Sequence, residues 1–191
     1  MRPVIYSLCI CLSFMLHAQE KKMEKETKLK NNEVPILLKQ MINEFMNEAK
    51  KVSYFMEETN NKKSYEVKFQ FKKSFYSIEF DDSVKLEDIE VLINKNEMEP
   101  AAFEAVTNHL STYEKFKIEK IQKQFSSENR TDEEVLRQAL NEGVGDIIRY
   151  EIEASIKSDG EWKALELLFS SDGAFISEKE IIKRSSDFIL Y

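Results

Sequence analysis

The sequence predicts an α+β fold: tandem helix-plus-four-strand repeats forming one antiparallel sheet, with the helices packed on one face. Three observations predict it. Two proline-led segments, opening at Pro35 and Pro100, carry apolar residues at helical spacing. Each is followed by runs in which apolar and polar residues alternate, the pattern of a strand with one buried face. The order of these signals in the first half returns in the second.

The first helix starts at Pro35, a residue suited to a first turn. Leu38, Met41, Ile42, Phe45 and Ala49 then recur at spacings of three and four, so they share a face. Val52, Tyr54 and Met56 alternate with Ser53, Phe55 and Glu57 as a first strand, and Asn60–Asn61 make a turn. Tyr65, Val67, Phe69 and Phe71 alternate with Glu66, Lys68 and Gln70, the cleanest period-two run in the chain. Phe75 to Phe80 forms a third strand after Lys72–Lys73, and Asp81–Asp82 leads into a fourth from Val84 to Ile93.

The second half begins with a helix whose face is Phe103, Val106, Leu110 and Tyr113, followed by a strand from Phe116 to Phe125. Thr131 and Glu134 then make a capping box, Val135, Leu136, Ala139 and Leu140 a face, and Gly143 a stop. This amphipathic helix, within about 126–145, is read as an insertion that a repeat accepts in a loop. Tyr150, Ile152, Ala154 and Ile156 alternate with Glu151, Glu153 and Ser155. Ser158-Asp159-Gly160 is a hairpin turn, Trp162 to Phe169 a strand, Asp172-Gly173 a turn, and Ala174 to Ile182 the last strand.

Composition narrows the class. The chain has 191 residues, 42% hydrophobic and 33% charged, which excludes a disordered tail, a collagen-like fibre and a multi-span membrane protein. Only 4 Gly and 3 Pro leave little room for a Gly-rich nucleotide loop. A net charge of −7 argues against nucleic acid as a partner. Arg2, the apolar run from Val4 to Leu16 and the small Ala18 read as a signal peptide over 1–18. The run is well short of the roughly 20 residues that a membrane span requires. Cleavage removes Cys9, Cys11 and His17, leaving no cysteine and a single histidine, His109. Disulfides, thiol catalysis and cysteine-bound zinc are thereby excluded from the mature chain. A periplasmic or secreted protein without a membrane span is expected. Its charged stretch 19–33 reads as a flexible linker, with 34–98 as the first repeat and 99–191 as the second.

Helix, then Tyr65-Glu66-Val67, then Ile78-Glu79-Phe80-Asp81-Asp82, and again Tyr150-Glu151-Ile152 and Leu168-Phe169-Ser170-Ser171-Asp172-Gly173, resembles the PepSY-like exported bacterial proteins. The same architecture resembles the beta-lactamase-inhibitor-protein fold. The likeness covers about residues 34–182, and departs where Ser83-Val84 stands in place of Asp172-Gly173. It implies a non-enzymatic role in binding or inhibiting other proteins, and supplies no catalytic residue.

The residues read by themselves point the same way. His109 reads as a solvated or partly packed helix residue, and no Gly-x-Ser-x-Gly elbow exists. Asp81, Asp82 and Asp88 lack the loop pattern of a calcium site, and the adjacent Asp81–Asp82 pair reads as a solvated turn. No catalytic, cofactor-binding or metal-binding residue is therefore expected. If the apolar set of each strand faces the helices, alternation puts Phe55, Phe75 and Trp162 on the opposite face. Aromatic residues on a Glu/Lys-lined open sheet are the expected anchors for a protein partner. The expected function is a secreted binding module, inhibitory or sensory. The alternatives are a carrier of a small apolar ligand between helices and sheet and, last, a carboxylate-based hydrolase.

Overall fold

The computed structural model describes residues 20–22, 24–59 and 62–182. The segment 1–18 expected as a signal peptide, the turn expected at Asn60–Asn61 and the residues after 182 lie outside the described residues. Among the described residues ten strands occur: β1 (Glu20–Lys22), β2 (Glu24–Leu29), β3 (Lys50–Thr59), β4 (Lys62–Phe71), β5 (Ser74–Asp81), β6 (Leu86–Leu92), β7 (Lys115–Ser126), β8 (Ile147–Ser158), β9 (Glu161–Ser170) and β10 (Phe175–Ile181). Helix α1 (Ile36–Met46) precedes β3, α2 (Pro100–Leu110) precedes β7, and α3 (Asp132–Glu142) lies between β7 and β8. The strands make one sheet in the order β1-β10-β9-β8-β7-β6-β5-β4-β3-β2. Its neighbours are antiparallel except β1, which runs parallel to β10.

This corrects the expected fold class. The chain is mostly one antiparallel sheet with three short helices, not tandem helix-plus-four-strand repeats. Two packing facts explain the difference. The stretch 19–33, expected as a linker, supplies a strand to each edge of the sheet, pairing Lys28 with Phe55 on one side and Lys21 with Glu180 on the other. The helix expected as a loop insertion buries Val135, Leu136, Ala139 and Leu140 in the same cluster as Leu38, Ile42 and Phe45 of α1. A segment from the second half thus completes the core over the first. β6 and β7 also pair directly, from Ile89 with Phe125 to Leu92 with Gln122, so the sheet has no seam near Pro100.

The core lies between the helices and one face of the sheet. Under α1 and α3 it contains Val67, Phe69, Ile78, Phe80, Ile89 and Phe125; under α2 it contains Tyr150, Ile152, Ile156, Leu165, Leu167 and Phe169. Burial of these side chains is the main stabilising contribution, about 1.5–3 kcal/mol for each large apolar residue. Local chemistry sets the helix ends. Pro100 opens α2 at a position that needs no N–H donor. Thr131 caps α3 by accepting from the Glu134 N–H, and Gly143 ends it with φ 68°.

Register shifts in β3, β6, β7 and β10 set which side chains leave the core. In β7, Ile118 pairs with Ala154 but Lys120 pairs with Glu153, so Glu119 is the extra residue. The alternation phase flips there: Phe116 and Ile118 face the helices before it, Ile121 and Phe125 after it. Lys120, Gln122 and Gln124 are thereby placed on the helix-free face. A second irregularity in β3, between Lys50 and Ser53, holds Lys51 at φ 56°.

Candidate binding surface

Among the described residues, no helix covers the other face of the sheet. Cross-strand register fixes its composition: Phe55, Glu66, Glu79 and Asp88 lie in one row, and Lys68, Ser77, Glu90 and Gln124 in the next. Phe75, Leu92 and Trp162 belong to this face as well, by alternation with Tyr76, Val91 and Leu165 of the core. Phe55, Phe75 and Trp162 therefore share the helix-free face, but they differ in accessibility. Phe75 is 45% exposed and Trp162 58%, whereas Phe55 is only 7% exposed. The Lys68 and Lys28 ammonium groups stand 4.9 and 5.9 Å from the Phe55 ring centre. Phe55 is thus a floor residue beneath lysines rather than a projecting anchor.

Phe55 and Phe75 come together; Trp162 does not join them. The first two line an open groove of about 570 Å³ that runs across β2 to β7, with Leu92 beside them and Lys28, Lys51, Lys68 and Lys120 around them. Trp162 sits at the far end of the β8–β9 hairpin, opposite Lys157. Sequence reasoning missed the lysines, Leu92 and Gln122. The usable signal lies in β7, where the apolar phase changes between Ile118 and Ile121 and so announces a bulge.

Next to the groove lies an acidic well of about 140 Å³, lined by Glu79, Asp88, Glu90, Glu151 and Glu166 among others. Glu90 is buried and accepts a hydrogen bond from Gln122 Nε2, while Gln124 Nε2 donates to Asp88 at 3.0 Å. Burial, then the charges of Glu151, Glu79 and Asp88, push the Glu90 carboxyl well above its ordinary range, with Lys120 opposing in part. Glu79, Asp88 and Glu90 bring carboxylate oxygens within 4.8 Å of one another, as do Glu26, Glu57 and Glu66. The second trio already has a cation, since Lys68 Nζ lies 2.5 Å from Glu26 and 2.8 Å from Glu66. In the first, amide donors and a raised carboxyl offset the like charges. Asp81 is a turn residue, its Oδ1 accepting from the N–H groups of Ser83 and Lys85 at 2.8 and 2.9 Å.

A carboxyl that holds its proton more tightly folded than unfolded loses stability as pH rises from the ordinary glutamate range toward the folded value. Glu90→Gln is expected to match the parent at pH 4 and to exceed it at pH 8 in urea midpoint. Equal midpoints at pH 8 would count against the burial argument.

His109 is partly buried and packs on aromatic rings. Its ring stacks on Phe175 at 4.3 Å and meets Phe169 edge-on at 5.5 Å. Burial lowers its basicity, against a smaller opposing effect of Glu178.

Comparison with known proteins rests on shape. No family model matches the chain, and a search of curated proteins gave no match. Among solved structures, the fold is similar to a DUF2874 family protein from Bacteroides ovatus (TM-score 0.53, 9% identity, covering 82% of this chain and 97% of that one). A DUF2874 family protein from Bacteroides uniformis is also similar (TM-score 0.53, 12% identity, 77% and 89% covered). So is a Bacteroides eggerthii protein described provisionally as periplasmic (TM-score 0.53, 9% identity, 77% and 88% covered). The likeness is one of fold alone. A BLIP-like protein from Bacteroides fragilis aligns less well (TM-score 0.48, 14% identity, 80% and 89% covered). None of these descriptions names the PepSY family. Among the described residues, no helix is long and apolar enough to cross a membrane.

Proposed function

We propose that this chain is an exported, non-enzymatic binding module that engages a protein partner through the helix-free sheet face, as an inhibitor or a sensor. One observation carries the reading: a sheet face that no helix covers among the described residues, on which Phe75, Leu92 and Trp162 stand exposed beside partly buried charged and amide side chains. Large exposed aromatic residues on a rigid sheet offer contact area at low entropic cost, and surrounding charges orient the approach. Export is supported by the Arg2–Ala18 pattern and by the provisional periplasmic description of the B. eggerthii neighbour. A carried apolar ligand would need room between helices and sheet. That layer is filled by fully buried Phe69, Phe80, Phe125 and Phe169.

The test compares the mature protein with its Trp162→Ala variant as bait on the native cell envelope. The variant is expected to lose capture of a specific protein by about tenfold, as truncation of an aromatic anchor does. Its melting temperature should fall by no more than a few degrees, because the indole is 58% exposed. Undiminished capture by the variant would remove Trp162 from the surface. Absence of any captured protein above a control bait would remove the binding reading itself.

A further inference from the structure

Resting on the binding reading above, we infer that the groove across β2–β7 receives an acidic, aromatic-bearing peptide segment of the partner. The chain carries a net charge of −7, yet among the described residues four lysines and no carboxylate line this groove. Lys68 and Lys120 are already paired, with Glu26 and Glu66 and with Glu153. Lys28 and Lys51 are different. Both are exposed, both stand over aromatic rings (Phe55 at 5.9 Å, Phe75 at 5.4 Å), and among the described residues neither has a carboxylate partner. A local cationic site on an acidic protein selects anionic groups and repels basic ones.

The floor adds a second requirement. Phe75 and Leu92 are 45% and 44% exposed, so an occupant that only neutralised the lysines would leave apolar surface wet. A third comes from Gln122. Its Nε2 donates to Glu90, while among the described residues its buried Oε1 has no donor. A buried acceptor left unpaired is destabilising, and an N–H from an occupant that draws the carboxamide into the groove satisfies it. An extended peptide with acidic and aromatic side chains meets all three requirements: carboxylates for Lys28 and Lys51, a ring for Phe75 and Leu92, and a backbone or side-chain N–H for Gln122. A fatty acid meets only the first two, since its chain has no donor. A volume of about 570 Å³ is enough for a few side chains.

The test is NMR titration of the full chain with four probes. They are the capped peptide Glu-Asp-Phe-Glu-Tyr-Asp, its Ser-for-aromatic version, its Lys-for-acid version, and laurate. The acidic aromatic peptide is expected to shift the amides of Phe75, Leu92 and Gln122. Its affinity should fall about tenfold in the double variant Lys28→Glu, Lys51→Glu, and again as salt rises from about 50 to about 300 mM. The serine version should bind more weakly, as should the parent peptide to Phe75→Ser. The three substituted residues lie outside the helix-side core, so a preserved melting temperature accompanies the loss. Unchanged affinity in the double variant, equal binding of the basic peptide, no shifts from the acidic aromatic peptide, or tighter binding of laurate at the same amides would each overturn the inference. The wider binding reading survives all four results, because the Trp162→Ala comparison probes a residue remote from the groove.

Discussion

Gly173→Ala is expected to lower the melting temperature by roughly 5–15 °C, a large effect for one added methyl group. Two costs coincide. Gly173 sits at φ 86°, where a side chain costs roughly 1–2 kcal/mol. A Cβ there would also meet the Ala102 carbonyl oxygen at 2.6 Å and the Ala105 Cβ at 2.8 Å. The first of these is helix backbone and cannot move aside, so α2 must lift from the sheet or the β9–β10 turn must open. Overpacking of this kind adds about 1–3 kcal/mol. Gly160→Ala separates the two costs. Gly160 has φ 82° with nothing within 4 Å, so it carries the backbone cost alone and should show a clearly smaller drop. Equal drops in the two variants, read by thermal denaturation, would show that the α2 contact does not matter.

Lys68→Met is expected to destabilise by about 2–3 kcal/mol at pH 7, below the 3–5 kcal/mol typical of a broken buried pair because the lysine side chain is 41% exposed. Lys68 lies between Glu26 and Glu66, and its removal strands Glu66, whose side chain is only 6% exposed. Burial pushes the Glu66 carboxyl up, but the Lys68 charge and hydrogen bond, with the hydrogen bond that Ser77 donates and a carboxyl–carboxyl hydrogen bond shared with Glu57, outweigh it and leave Glu66 below its ordinary value. Glu26 moves the other way. Burial and the nearby Glu66 charge raise it more than Lys68 lowers it. Of the two, the more buried Glu66 is the better partner for the lysine.

The pH dependence follows from these directions. A depressed carboxyl contributes stability above the ordinary glutamate range and loses it as pH falls through the folded value. Raised basicity of Lys68 holds its share until strongly alkaline pH. The deficit of Lys68→Met should therefore be largest at neutral pH and shrink on acidification, as Glu66 takes up a proton. Adding Glu66→Gln should recover much of the loss at pH 7. Urea midpoints across pH 3–8 check both statements, and a deficit independent of pH would mean that only the packing of the lysine stem matters.

Much of the fold and part of the surface are legible in the residues. Tyr65 to Phe71 alternates so regularly that one assignment puts Val67, Phe69 and Phe71 in the core and Glu66, Lys68 and Gln70 on the open side. Thr131, Glu134 and Gly143 bracket α3 by local chemistry alone. What those signals lack is partnership. A period-3.6 face states that a helix buries one side, not against which strands, so Val135 to Leu140 read as an insertion although they seal the core with α1. Glu24 to Leu29 has too few large apolar residues to read as a strand. It forms one because β3 presents an open edge of backbone donors and acceptors.

The candidate surface divides in the same way. Strand period is a local property of the backbone, so the order of residues is enough to say which side chains alternate away from the core, and it puts Phe55, Phe75 and Trp162 on one face. Their surroundings come from strands distant in the chain: Phe55 lies under lysines, Phe75 shares a groove with Leu92 and Gln122, and Trp162 stands apart. Those outcomes depend on strand order and on the bulges at Glu119 and Lys51, which are settled by long-range hydrogen-bond register that no short window of residues encodes.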